Sequence, residues 1–154
     1  MEREKNFFDK IGSLVPGYAG YAERDGRRQC DKLLREKVVV VLNSSEKNIS
    51  ERIASAIKIK NYEKLEDYEE CRKKLNTLSS KVKFAAYGES AYFSSNQLKE
   101  DELMSIYQRD YALLEKAIEF YQNVSNMDIP SIASRIDDIE TMLNDRNEYI
   151  KRYK

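Results

Sequence analysis

The sequence predicts an all-α protein: an antiparallel bundle of about four long helices, preceded by a short N-terminal amphipathic helix. Three observations predict it. Charged residues make up 35% of the chain and hydrophobic ones 41%, with only five glycines and two prolines in 154 residues, a composition of long surface-charged helices. Apolar residues recur at intervals of three and four. Only two short aromatic segments interrupt that pattern, Pro16-Gly17-Tyr18-Ala19-Gly20-Tyr21 and Tyr87-Gly88-Glu89-Ser90-Ala91-Tyr92-Phe93. The length suits a single domain spanning 1–154, with an N-terminal helix and aromatic loop in 1–21 and the bundle in 22–154.

Phe7, Phe8, Ile11, Leu14 and Val15 share one face of a helix over 6–15, which Pro16-Gly17 ends. From Ala22 a second helix carries Cys30, Leu33, Leu34, Val38, Val41 and Leu42, with Gly26 costing it about 1 kcal/mol relative to Ala. The run Val38 to Leu42 has strand propensity but no strand to pair with, so it reads as helix. Asn43 to Asn48 is either a turn or an exposed stretch of one long helix. Ile49, Ile53, Ala56 and Ile57 resume the stripe, and Asn61 marks the reversal. Leu65, Tyr68, Cys71, Leu75, Leu78, Val82 and Ala85 form a heptad seam. The next helix starts near Lys99 with Glu100, Asp101 and Glu102 in its first turn, where the helix dipole favours acids, and carries Leu103, Tyr107, Leu114, Ile118 and Tyr121. Asp128 suits an N-cap with Pro130 just behind it. Ile132, Ile136, Ile139, Leu143, Ile150 and Tyr153 make the last seam, in which Arg146 is the one charged member.

Reversals near 61, 87–98 and 127 bring both aromatic segments, Arg24, Arg27, Arg28 and the acidic turn Glu100-Asp101-Glu102 to one end. Arginines at a helix start oppose its dipole. The pattern therefore calls for carboxylates such as Glu89 or Asp101, or for an external anion. The same frame separates Cys30 from Cys71 by about 30 Å, far beyond disulfide reach, and predicts two free buried thiols.

Formal net charge is zero, so no global field recruits nucleic acid or membrane. The charge is uneven: residues 1–60 hold thirteen basic and nine acidic side chains, and residues 100–148 hold four basic and twelve acidic. The absence of histidine removes Ser-His-Asp and Cys-His catalysis, most zinc sites and the Glu-x-x-His di-iron motif of helical bundles. No phosphate-binding glycine motif occurs. Glu63, Glu66, Asp67 and Glu70 share a helical face and could hold Mg²⁺, or form an ordinary solvated face. No signal peptide and no spanning run is read, so the expected location is cytoplasmic, without a cofactor.

The segments Pro16-Gly17-Tyr18-x-Gly20-Tyr21-x-x-Arg24, Arg27-Arg28-x-x-Asp31-Lys32-Leu33-Leu34-Arg35, Tyr87-Gly88-x-x-x-Tyr92-Phe93 and Asp110-x-Ala112-Leu113-Leu114-Glu115 resemble a group of small bacterial all-helical proteins of unassigned function. That resemblance implies a bacterial helical protein and no particular activity. Phe7-Phe8-Asp9-Lys10-Ile11 is similar, over those five residues, to the start of phage-shock-type coiled-coil proteins.

The expected function is non-enzymatic: an interaction or scaffold protein whose aromatic-arginine end binds a protein partner or a second copy. Tyr18, Tyr21, Tyr87, Tyr92 and Phe93 would anchor, and Arg24, Arg27, Arg28 and Glu89 would orient the partner. Two alternatives stand beside it. Residues 1–15 could dock on a membrane surface, or the Glu63 to Glu70 face could serve a Mg²⁺-dependent enzyme. The aromatic loops could equally form a small core of their own.

Overall fold

Asn6 opens the first helix by accepting the amide of Asp9 on its side chain at 2.9 Å, a standard N-cap. The computed structural model describes residues 6–85 and 90–153, and these contain no strand. Helix α1 (Phe7–Leu14) buries Ile11 and lays its aromatic edge on the helix Glu100–Asn123, with Phe8 5.1 Å from the ring of Tyr107 and Phe7 5.5 Å from Tyr111. A loop follows, and a 3-10 turn (Arg24–Gly26) leads into α2 (Arg27–Lys58). Gly26 is therefore the N-cap of α2 and not an interior residue, so the helix avoids the interior-glycine cost the sequence suggests.

Helix α2 runs unbroken for 32 residues, about 48 Å. The polar stretch Asn43 to Asn48 stays helical, with Ser45 and Ile49 buried on the core face, and Ser44 and Ser45 turn their hydroxyls back to the carbonyls of Val40 and Val41. The helix stops in a Schellman turn: Lys60, at φ 61°, bonds back to Ile57, and Asn61 bonds back to Ala56. Then come α3 (Leu65–Lys83), the single turn α4 (Ala91–Ser94), α5 (Glu100–Asn123), a 3-10 turn (Val124–Asn126) and α6 (Ile129–Arg152). Asp128 caps α6 through the amide of Ser131 at 2.8 Å, with Pro130 in the first turn.

Side-chain pairs fix the directions. Asn43 with Ser79 and Arg52 with Tyr68 make α2 and α3 antiparallel. Arg109 with Asp145 and Arg135 with Glu119 do the same for α5 and α6. Across the two hairpins the helices run parallel. Lys74 with Asp137 and Lys81 with Glu140 align α3 with α6. Arg52 reaches the end of α5 at Val124, while Asp31 and Asp110 share a level near the starts of α2 and α5. The end of α3 and the start of α5 therefore lie at the same end of the bundle, where the starts of α2 and α5 meet the ends of α3 and α6.

One continuous core fills the interior. The stripes read on α2, α3 and α6 face it, except that Ile57 near the end of α2 is exposed. On α5 the stripe is rotated: Ile106, Leu113, Ala117 and Phe120 are buried, whereas Tyr107 and Ile118 are half-buried and Tyr121 is exposed. Aromatic and β-branched residues on a helix flank mimic a seam in sequence. Cys30 and Cys71 are both buried and free. Among the described residues no helix is long and apolar enough to cross a membrane.

Gly20 sits at φ 86°, and a Cβ there would run into the hydroxyl of Tyr107 and the ring of Phe8. Gly20→Ala is expected to cost roughly 2 kcal/mol, read as a fall of about 4–8 °C in Tm by circular dichroism. Gly12→Ala, with open space around its site, should raise Tm slightly. Equal melting of the two variants would contradict the docking of α1 drawn here.

Candidate functional site

The aromatic loops do converge on the end where α2 and α5 begin, but they close over an ionic cluster and face inward. Tyr18, Tyr21, Tyr92 and Phe93 are buried. The first loop reaches inward because Gly17 and Gly20, both at φ 86°, turn the chain sharply after α1. Tyr18 and Tyr21 then donate to one carboxylate oxygen of Asp110, at 2.8 and 2.6 Å. Tyr107 accepts the amide of Tyr21 at 3.0 Å.

Asp110 lies on the core face of α5 with no exposed surface. Its other oxygen accepts Arg146 Nε at 2.5 Å. Arg146 Nη2 donates to Asp31 Oδ1 at 2.7 Å and to the Tyr21 hydroxyl at 3.2 Å. Asp31 Oδ2 accepts Arg35 Nε at 2.9 Å. Two arginines and two aspartates from α2, α5 and α6 therefore neutralise one another, with the tyrosine hydroxyls filling further carboxylate lone pairs. Such a cluster survives burial because each charge is both paired and hydrogen-bonded. Burial, reinforced by the Asp110 charge, pushes the Tyr18 and Tyr21 phenols far above their ordinary range. The same causes, in the same order, push the Cys30 thiol up to about 12.

Among the described residues Arg27, Arg24 and Arg28 find backbone carbonyls, an amide oxygen and a ring. Arg27 is fully buried and donates to backbone carbonyls, Tyr21 at 2.7 Å and Ser95 at 2.5 Å. Arg24 is exposed and donates to Asn96 at 2.8 Å. Arg28 is exposed with its guanidinium 5.1 Å from the Phe93 ring, a cation–π contact. Asp101 accepts the amide of Glu102 at the start of its own helix and is not the partner of these arginines. Tyr87 and Glu89 lie outside the described residues. The anchoring patch of Tyr18, Tyr21, Tyr92 and Phe93 is thus an interior, because hydroxyls and rings that find partners inside gain more than they would in water. Of the set, Arg24 and Arg28 stay on the surface.

The carboxylates Glu63, Glu66, Asp67 and Glu70 are all exposed. Glu66 and Asp67 lie in the first turn of α3, where they favour its dipole. Among the described residues no group of three or more acids or cysteines is placed to hold a metal ion.

The sequence reading passed over a different surface. Val40, Phe84, Val39, Lys32, Arg35, Glu36 and Lys83 line an open groove between α2 and the end of α3. Val40 is 58% exposed and Phe84 71%. The available signal was the length of the valine run: a helix buries one stripe, so of Val38, Val39, Val40 and Val41 one must face out.

The chain matches no protein-family model, no curated protein and no solved structure.

Removing one partner of a buried ion pair leaves the other charge uncompensated. Arg146→Met should therefore cost about 3–5 kcal/mol in urea denaturation, and Tyr21→Phe about 1.5–3 kcal/mol. Losses within the scatter of surface mutants would contradict the cluster. Alkaline pH supplies a second check. Tyr18, Tyr21 and Cys30 hold their protons more tightly folded than unfolded. Their stabilisation is complete below about pH 8.5, falls as the unfolded thiol and then the unfolded phenols ionise near pH 10, and continues to fall above that. Tyrosinate absorbance should show these two phenols ionising only as the chain unfolds, and the urea midpoint of Tyr18→Phe should fall less steeply between pH 9 and 11 (about two units).

Proposed function

We propose that this protein is a non-enzymatic interaction module that binds a protein partner on the outer face of α2 and α3. One observation carries the reading: Phe84 and Val40 lie exposed together in a groove, while Tyr18, Tyr21, Tyr92 and Phe93 at that end are buried. Exposed aromatic and aliphatic side chains clustered beside polar rims are the usual anchors of protein contacts. The exposed Arg28 continues the same face one turn before Lys32, so part of the arginine set remains available for orientation. The titratable groups with the strongest interactions are paired to each other inside the bundle, which supports binding over catalysis.

A membrane role for residues 1–15 would require α1 to leave α5. That movement would strip Ile11 of its cover and break the Phe8–Tyr107 contact. The described part of α1 is engaged in the fold, and this favours the protein-contact reading.

The double variant Val40→Asp, Phe84→Ser alters exposed positions only. It should keep its helical circular dichroism and melt within a few degrees of wild type. A partner retained by immobilised wild type and identified by mass spectrometry should be lost from the variant by about tenfold or more. Equal retention would remove this face from consideration.

A further inference from the structure

Resting on the α2–α3 contact surface just proposed, the charges around the groove point to its occupant. Its floor is apolar, formed by Val39, Val40 and Phe84. Its rim carries Lys32, Arg35 and Lys83 against one carboxylate, Glu36. Lys32 and Glu36 stand 3.9 Å apart with both side chains well exposed, a pairing that water screens almost completely. Lys83 holds its ammonium 5.2 Å from the Phe84 ring, so a cation and the most exposed aromatic of the groove are presented together. Arg35 is turned inward to Asp31 and the carbonyls of Val82 and Lys83. The outward cations are therefore Lys32 and Lys83, one on each wall, with Arg28 at the α2 end.

We infer that the groove receives an acidic amphipathic helix from another protein. Helix α2 forms one wall, and the last residue of α3 with its C-cap Phe84 forms the other; the described residues offer no sheet edge for an added strand, so a helix laid along α2 against Phe84 is the element that fits. From Lys32 to Val40 the wall is about 12 Å long, room for two turns. Apolar side chains at i, i+3 and i+4 of the guest cover Val40 and Phe84, and carboxylates flanking that stripe meet Lys32 and Lys83. A basic guest helix would set its cations against both lysines. A nucleic acid would place phosphates beside Glu36 and bases on a valine floor that cannot stack them. A second copy would have to bring the acidic surface of its α5–α6 half to this face, a head-to-tail contact that builds rings or filaments and not a two-fold dimer.

The test uses the full chain and two labelled peptides of about five turns. Both carry leucine at alternating three- and four-residue steps, one with glutamates on the flanks and the other with lysines. Fluorescence anisotropy at about 50 mM salt should show the glutamate peptide binding about tenfold more tightly or better, with the advantage shrinking near 300 mM. Lys32→Glu, Lys83→Glu should reverse the order, and Val40→Asp, Phe84→Ser should lose both peptides. Equal binding, preference for the lysine peptide, or no binding by wild type overturns the inference. So does a wild-type dimer in sedimentation that the Val40 and Phe84 variant disperses, since a second copy then fills the groove. A natural partner that needs Val40 and Phe84 but ignores the lysine reversal would overturn the acidic guest and leave the contact surface standing.

Discussion

Arg146 brings a guanidinium to a point where α2, α5 and the first aromatic loop meet, and its fit there determines what else can be built around it. A planar fork with donors on two edges can serve two carboxylates at once. Asp110 and Asp31 occupy those edges. Once Asp110 is committed, its second oxygen requires donors, and Tyr18 and Tyr21 supply them from the loop. The loop in turn sets where α1 lies, because Phe8 rests on Tyr18 and Tyr107. The position of the N-terminal helix is thereby coupled to a charge near the C-terminal end of the chain.

A second set of arginines organises the rest. Arg27, Arg35 and Arg52 all belong to α2, and each donates to carbonyls where another helix ends. Arg27 serves α4 through Tyr92 and Ser95, Arg35 serves α3 through Val82 and Lys83, and Arg52 serves α5 through Val124 and Met127. The last carbonyls of a helix lack partners and carry the negative end of its dipole. A guanidinium satisfies both needs. Helix α2 is long enough to place such groups at both ends of the bundle, and so it acts as the common reference for the other elements.

Much of the architecture was legible, because helical periodicity survives in long elements. Asp128, Pro130 and Asn61 marked their turns correctly, and the shared end of the two aromatic segments followed from loop positions alone. The site was less so. The α5 stripe was read through Leu103, Tyr107 and Leu114, and the core position between them, Asp110, was passed over for being charged. Asp31 stands in the same relation to Arg27 and Leu34. A lone charge in a seam looks like an interruption, and only the coincidence of Arg146, Asp110 and Asp31 at one level reveals complementarity. That coincidence depends on which helices adjoin. The parallel contact of α2 with α5 joins residues far apart in sequence, so it leaves no local signature. The same limit hid the direction of the tyrosines, since a Gly–Tyr loop reads alike whether it faces water or a buried carboxylate.

The ionic cluster also restricts how this sequence can change over generations. Its four charged members sit on three different helices, and Arg146 and Asp31 each hold two partners of opposite charge. Any single replacement passes through a chain with a stranded interior charge, at a penalty comparable to a large share of a domain's net stability. An apolar set in the same volume would fold as well, yet it cannot be reached one substitution at a time through folded ancestors. The cluster is therefore a historical lock: among descendants of this chain Arg146, Asp110 and Asp31 should be inherited together or exchanged together, while the solvent-facing residues around them are free to drift.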